Sequence, residues 1–228
     1  MAVSTNRGKL ESYRMESEDL VHWSEEKSHR VGIDSAGYVW APEAIYDQQK
    51  EAFLVFFASK TQSGESVHSK HKIYAVYTQD FQSFSESFLY MEREKDLIDT
   101  TIVQEGRYYY RFYKDETTSR IKADFSSTLT DTPFQEISSD LLDTLVGVEG
   151  PECFQLPDGK RWCLIVDRFA EGKGYLPLIT EDLHSGKWEI LPDDSYDLGV
   201  TKKRHGGILT LTDAEYERMD KAFVKRRS

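Results

Sequence analysis

Apolar and polar residues alternate along this chain in short runs separated by turn residues, and helical spacing is rare. Residues 52–58 (AFLVFFA) are continuously apolar, the pattern of a strand covered on both faces. A Ser/Gly/Lys-rich loop follows over 59–70, and 72–78 (KIYAVYT) alternate as a strand does. Gln104-Glu105-Gly106-Arg107 predicts a hairpin turn into the aromatic run 108–113 (YYYRFY). Pro157-Asp158-Gly159 predicts another before 161–166 (RWCLIV). Helix patterns are confined to 138–145 and 213–223, the second opened by Thr212 or Asp213 as N-cap. The basic end, Lys225-Arg226-Arg227, reads as a solvated tail. No linker rich in Pro, Gly or Ser interrupts the pattern, so 1–228 reads as one domain.

The strand pattern repeats. Residues 40–46, 52–59, 73–80 and 81–88 form one set of four strands. Residues 99–103, 107–113, 120–125 and 134–137 form a second, and 149–156, 161–167, 175–182 and 188–191 a third. Four strands in about 50 residues are the signature of propeller blades. The first strands carry Glu43, Asp99 and Glu149, and a later strand over 204–211 carries His205. First strands of blades line the central axis, so these four residues converge on one funnel. Carboxylates gathered there raise each other's pKa, a cost that proteins carry mainly where chemistry uses it.

Composition narrows the ligand. The chain has 228 residues, 29 Lys plus Arg against 40 Asp plus Glu, and a net charge of −11. Such a surface repels phosphate backbones and argues against nucleic acid as a partner. Aromatic residues make up 13%, with 13 Tyr, 12 Phe and 4 Trp. They favour strands and supply platforms for sugar rings. No run of about 18 apolar residues is present to cross a membrane. The first twenty residues lack the apolar core of a signal peptide, so the expected location is the cytoplasm. Cys153 and Cys163 flank the Pro-Asp-Gly turn. Paired strands would set them about opposite each other, a geometry that admits a disulfide; a cytoplasmic location favours two reduced, buried thiols. Neither has metal-ligand spacing. The stretch Gly32-Ile33-Asp34-Ser35-Ala36-Gly37 suits a rim loop and has no phosphate-loop pattern. No Ser sits in a nucleophile elbow.

Six motifs in order carry a family resemblance. They are Ser17-Glu18-Asp19-Leu20-Val21-His22-Trp23, Trp40-Ala41-Pro42-Glu43, Ile98-Asp99-Thr100-Thr101, Glu149-Gly150-Pro151, Thr180-Glu181-Asp182-Leu183-His184-Ser185-Gly186-Lys187-Trp188 and Arg204-His205-Gly206-Gly207. Together they resemble the S-x-D-L-x-x-W, W-A-P-[DE], I-D-P/T, E-G-P, T-x-D-L-x-S-G-x-W and R-H-G elements of family-43 glycoside hydrolases. The resemblance implies an all-β, five-bladed β-propeller, here incomplete. Three full blades (38–90, 98–138 and 148–192) would stand between a first-blade remnant (1–30) and a last axial strand (203–212), with 213–228 as a C-terminal helix or tail. It further implies a glycosidase acting by inverting general acid/base chemistry on arabinose- or xylose-containing glycans, arabinan and xylan among them. The substrate would be an oligosaccharide or a small aryl-glycoside-like molecule. Glu149 would be the general acid and Asp99 the carboxylate that tunes and orients it. Trp40 and Glu43 would form the sugar-binding wall. No cofactor is required, although His205 matches a histidine that helps to hold a calcium or sodium ion through water.

The family's general base is an Asp on the first strand of the first blade. Counting back one repeat of ~54 residues from Glu43 falls before Met1, so that strand is expected to be missing. The chain is then either a hydrolase in which Glu43 is the spare axial carboxylate, or a catalytically deficient carbohydrate-binding propeller or truncated fragment. Either the remnant pairs with the 204–211 strand in a composite blade, or a second copy supplies strands and makes a homo-oligomer. Three more residues are candidates for sugar contact. Arg111 reaches either the funnel or solvent, Arg168 suits a substrate-facing loop, and Tyr175 either stacks on a sugar or packs in the core. His22, His29, His68, His71 and His184 read as surface residues.

Overall fold

The computed structural model describes residues 10–33, 37–60 and 70–224. His68, most of the 59–70 loop, the middle of the 32–37 loop and Lys225-Arg226-Arg227 lie outside the described residues. Strands β1 (Glu11–Arg14) and β2 (Lys27–Arg30) form an antiparallel pair. Three four-stranded antiparallel meanders follow. The first contains β3 (Trp40–Asp47), β4 (Ala52–Lys60), β5 (His71–Thr78) and β6 (Phe88–Met91); the second contains β7 (Leu97–Glu105), β8 (Tyr108–Asp115), β9 (Arg120–Ser126) and β10 (Gln135–Ile137). The third contains β11 (Glu149–Gln155), β12 (Trp162–Asp167), β13 (Tyr175–Thr180) and β14 (Glu189–Ile190). Short helix α1 (Asp140–Thr144) joins the second and third sheets, and α2 (Asp213–Phe223) ends the chain. Each meander is a blade, and the first strands lie side by side, β3 against β7 and β7 against β11.

The core lies between blades, which explains the apolar runs. Alternate residues of a strand face opposite sides. In β4, Leu54, Phe56 and Ala58 pack toward Leu97, Ile98 and Tyr109 of the second blade. Val55 and Phe57 pack the other way, with Val31 and Val39. In β12, Leu164 and Val166 meet Tyr110 and Phe112, while Cys163 and Ile165 meet Tyr175. A middle strand with a layer on each side has no polar face, so its periodicity disappears.

One turn closes the outer edge of several blades. Between β5 and β6, Thr78 Oγ1 accepts from Phe81 N (2.9 Å) and Asp80 Oδ1 accepts from Gln82 N (2.8 Å) and Ser83 N (2.9 Å). Between β1 and β2, Ser17 Oγ and Asp19 Oδ1 do the same for Leu20, Val21 and His22. The likeness extends to Ser24 and Ser85, whose backbone N–H groups bond Glu16 O (2.8 Å) and Tyr77 O (2.9 Å). Strands β1 and β2 are therefore laid out as the outer two strands of a blade. Thr180 and Asp182 recur in the third blade. This turn also moves the fourth strand of the first blade. It was expected over 81–88, but the Asp80 carboxylate captures 82 and 83 in the turn and pairing begins at Phe88.

Two further expectations change. Residues 204–211 form no strand and join no sheet, so no composite blade with β1 is built from them. Cys153 pairs with Leu164 and Cys163 with Phe154, so the register is offset by one residue. The two thiols then point to opposite faces of the sheet, both buried and unbridged. Burial pushes the Cys163 thiol up to about 11, and Cys153 is raised as well, by burial first and then by its neighbour Cys163. Arg111 reaches neither funnel nor solvent. Its guanidinium is 3% exposed, forms two bonds to Asp124 (Nε–Oδ1 2.9 Å, Nη2–Oδ2 2.7 Å) and lies 3.8 Å over the Phe134 ring.

Replacing Arg111 with Met leaves the buried Asp124 charge with Arg93 as its remaining ion-pair partner. The expected loss is about 3 kcal/mol of unfolding free energy in urea, with most of it regained in Arg111→Met/Asp124→Leu. A thiol titration should find two free thiols per chain with or without reductant, unreactive until the protein unfolds.

Candidate active site

Each first strand carries a β-bulge at the same place. Pairing skips between Trp40 and Glu43, between Ile98 and Thr101, and between Glu149 and Glu152. The second residue of each bulge has a left-handed backbone: Ala41 at φ 43°, Asp99 at 53° and Gly150 at 53°. Bulges re-aim side chains and end regular pairing. Here they turn residues of three blades into one cavity of about 810 Å³, lined by Trp40, Glu43, Asp99, Glu149, Glu152 and His205. Only Gly fits the third bulge, because a Cβ on Gly150 would lie 2.5 Å from the His205 ring. Asp99 carries the strained backbone on a side chain that tolerates it, a cost met at functional positions.

The bulge register corrects the equivalences expected from spacing. Glu43 matches Thr101 and Glu152, Asp99 matches Ala41 and Gly150, and Glu149 matches Trp40 and Ile98. Glu152 was not among the expected site residues, although Pro42-Glu43 and Pro151-Glu152 share a dipeptide that signals it.

The four carboxyl groups are held differently. Burial, then repulsion from Glu152, holds the Glu43 carboxyl well above the usual range. Thr101 Oγ1 donates to Glu152 Oε2 at 3.5 Å. Burial also raises Glu152, against the opposing effect of Ile208 N, which donates to its Oε1 at 3.1 Å. Asp99 is raised by burial, against His205 (Nε2–Oδ2 3.4 Å) and the Gly150 N–H (3.2 Å). Glu149 sits between two cations, with Lys114 Nζ 2.9 Å from Oε2 and Arg204 Nη2 3.0 Å from Oε1. Lys114 is 3% exposed and Arg204 is 52% exposed. Arg204 is therefore the partner that an incoming ligand can displace, although its Nε also holds Asp167 at 2.7 Å.

Residues 204–208 form a strap over these groups. Arg204 bonds Glu149, His205 packs on Gly150, Gly206 O accepts from Tyr175 (3.5 Å), and Ile208 N bonds Glu152.

Of the expected sugar contacts, Trp40 and Glu43 line the cavity and Arg111, Arg168 and Tyr175 do not. Arg168 holds its own loop through Gly174 O (3.3 Å) and Tyr175 O (3.2 Å). Tyr175 is buried with Cys163 and Ile165, and burial pushes its hydroxyl up to about 12. His71 is also buried, not a surface residue. Among the described residues no group of three His, Cys, Asp or Glu side chains is spaced for direct metal ligation.

A family model described as a probable glycosyl hydrolase domain, related to family 43, matches residues 4–217. The chain belongs to the family-43-related glycosyl hydrolases. An α-L-arabinofuranosidase of Bifidobacterium longum subsp. longum is 32% identical over an alignment 126 residues long that covers 47% of this chain and 12% of that enzyme. The crystal structure of a thermostable family-43 glycoside hydrolase superposes with a TM-score of 0.57 at 15% identity, covering 87% of this chain and 68% of the other. An exo-β-1,3-galactanase of Phanerochaete chrysosporium, solved with galactose, gives 0.55 at 16%, covering 78% and 42%. The fold is thus the five-bladed propeller type of family-43 glycoside hydrolases, of which the described residues form three four-stranded blades and a two-stranded sheet.

The raised carboxyls make stability fall as pH rises. Folded Glu43, Asp99 and Glu152 keep protons to higher pH than they do unfolded, so at these groups the folded state binds more protons above the ordinary carboxylate range. Buried His71, lowered by burial, acts in the opposite sense below about pH 6.5. Because His71 is common to both proteins, Glu43→Gln should gain Tm relative to the unmodified protein as pH rises from about 5 to about 8, read by thermal unfolding.

Proposed function

We propose that this domain hydrolyses glycosidic bonds of arabinose- or xylose-containing glycans, with arabinofuranosyl groups as the first candidate. The observation that carries the proposal is the convergence of Glu149, Asp99 and Glu43 beside the Trp40 indole in one cavity. The 126-residue match to an arabinofuranosidase favours the pentose. A sugar ring lies against Trp40. Glu149 passes a proton to the glycosidic oxygen as its bond to the anomeric carbon breaks. Asp99, fixed by Gly150 and His205, orients that proton. Water attacks the anomeric carbon from the other side and gives its proton to a carboxylate. Inversion sets that base about 6.5–9.5 Å from the acid. Among the described residues, the ionised member of the Glu43–Glu152 pair takes the role.

One observation favours a second reading, a glycan-binding propeller without turnover: Lys114 and Arg204 occupy both oxygens of Glu149. Hydrolysis of 4-nitrophenyl α-L-arabinofuranoside and β-D-xyloside separates the two. The enzyme predicts turnover that drops by a factor of about 10²–10⁴ in Glu149→Gln. Equal inertness of both proteins with retained arabino-oligosaccharide binding favours the second reading. Loss of both turnover and binding removes the glycan proposal altogether.

A further inference from the structure

Trp40 does not stand alone in the cavity wall. The Tyr38 ring stacks on it, with centroids 4.1 Å apart and planes 18° apart. The His71 ring stacks on it too, at 5.5 Å and 23°. Tyr38 and His71 are 5.8 Å apart, far less than the two separations added together. They therefore share one face of the indole and leave the other uncovered by this pair.

The two rings are themselves tied down. Asp96 Oδ1 accepts from the His71 backbone N–H (2.5 Å) and bonds its Nδ1 (2.8 Å). With Nδ1 carrying the proton toward the carboxylate, Nε2 presents its lone pair. The Tyr38 hydroxyl donates to that lone pair at 2.5 Å. Ser59 Oγ anchors the Tyr38 carbonyl from β4 at 2.6 Å. Asp96, immediately before β7, thus reaches from the second blade to the first, where its hydrogen bonds end on the ring under Trp40. None of these three side chains lines the cavity.

We infer that Asp96, His71 and Tyr38 form a positioning relay that fixes the Trp40 indole as a rigid platform for a sugar ring. The inference deepens the glycan proposal and rests on it for the identity of the ligand. A side chain already ordered loses little rotamer freedom when a ligand stacks on it, so preorganisation appears as affinity. The relay should therefore affect ground-state binding more than the chemical step.

The test has two arms. The first reads Trp40 directly, as the difference in fluorescence between the protein and Trp40→Phe. Tyr38→Ala and His71→Asn should red-shift that difference signal and raise its acrylamide quenching about twofold or more. Tyr38→Phe keeps the ring and loses the hydroxyl, so its effect should be smaller and in the same direction. The second arm uses arabinotriose and 4-nitrophenyl α-L-arabinofuranoside. Tyr38→Ala should raise Kd and KM about tenfold with kcat within about twofold. An unchanged Trp40 signal in folded Tyr38→Ala or His71→Asn overturns the relay. So does a fall in kcat at constant KM. Should either variant fail to fold, Tyr38→Phe decides, with an unshifted, unquenched Trp40 signal overturning the relay. If the unmodified protein neither binds nor cleaves these sugars, the glycan proposal falls, while the fluorescence arm still decides whether the relay holds the indole.

Discussion

A bulge in the first strand of each blade is the constraint on which the site depends. A regular strand sends alternate residues to its two faces, and in a propeller both faces are covered by neighbouring blades. No side chain would then point along the axis. The left-handed residue at Ala41, Asp99 or Gly150 breaks that alternation and turns the flanking residues into the cavity. It also costs backbone strain on two non-glycine residues. The cost is tolerated because packing between adjacent blades holds these strands in place.

Once the bulges have gathered carboxyl groups, their charges must be managed. The cavity does so in two ways. Burial favours the protonated forms of Glu43 and Glu152, which lowers the charge that the pair carries. Glu149 instead keeps two cations, one from the core of the second blade and one from the strap. The same few residues of the strap, 204–208, touch Glu149, Asp99 and Glu152, three of the four carboxyl groups. Some of the 40 acidic side chains thus lie inside the molecule, beside countercharges, and not on its surface.

The repeat was legible because it is built from local signals. Turn residues, aromatic strands and a polar residue near each first strand mark the blades without any tertiary information. The turn with Ser17 and Asp19 is written in the chain as plainly as the one with Thr78 and Asp80. Helix α2 is equally local, opened by a capping box between Thr212 and Glu215. Register was not legible. A one-residue offset separates opposed cysteines from cysteines on opposite faces. A bulge makes Glu43 equivalent to Glu152, although spacing suggested Glu149.

By itself, then, the order of residues determined the four-strand repeat and its turns, and its motifs pointed to Trp40, Glu43, Asp99, Glu149 and His205. Each follows from propensity, periodicity or a contiguous motif. The bulges and the strap brought those residues together. The tertiary structure alone decided which polar residues are catalytic candidates and which are scaffold. Arg111 and Arg168 are as polar as Arg204, and Tyr175 as aromatic as Trp40. Their roles differ because Asp124 lies across β9 from Arg111 and because Tyr175 is sealed beneath the strap. Asp96 and His71 face each other across two blades. Pairings between distant segments depend on packing free energy summed over the whole chain, which no local stretch of sequence contains.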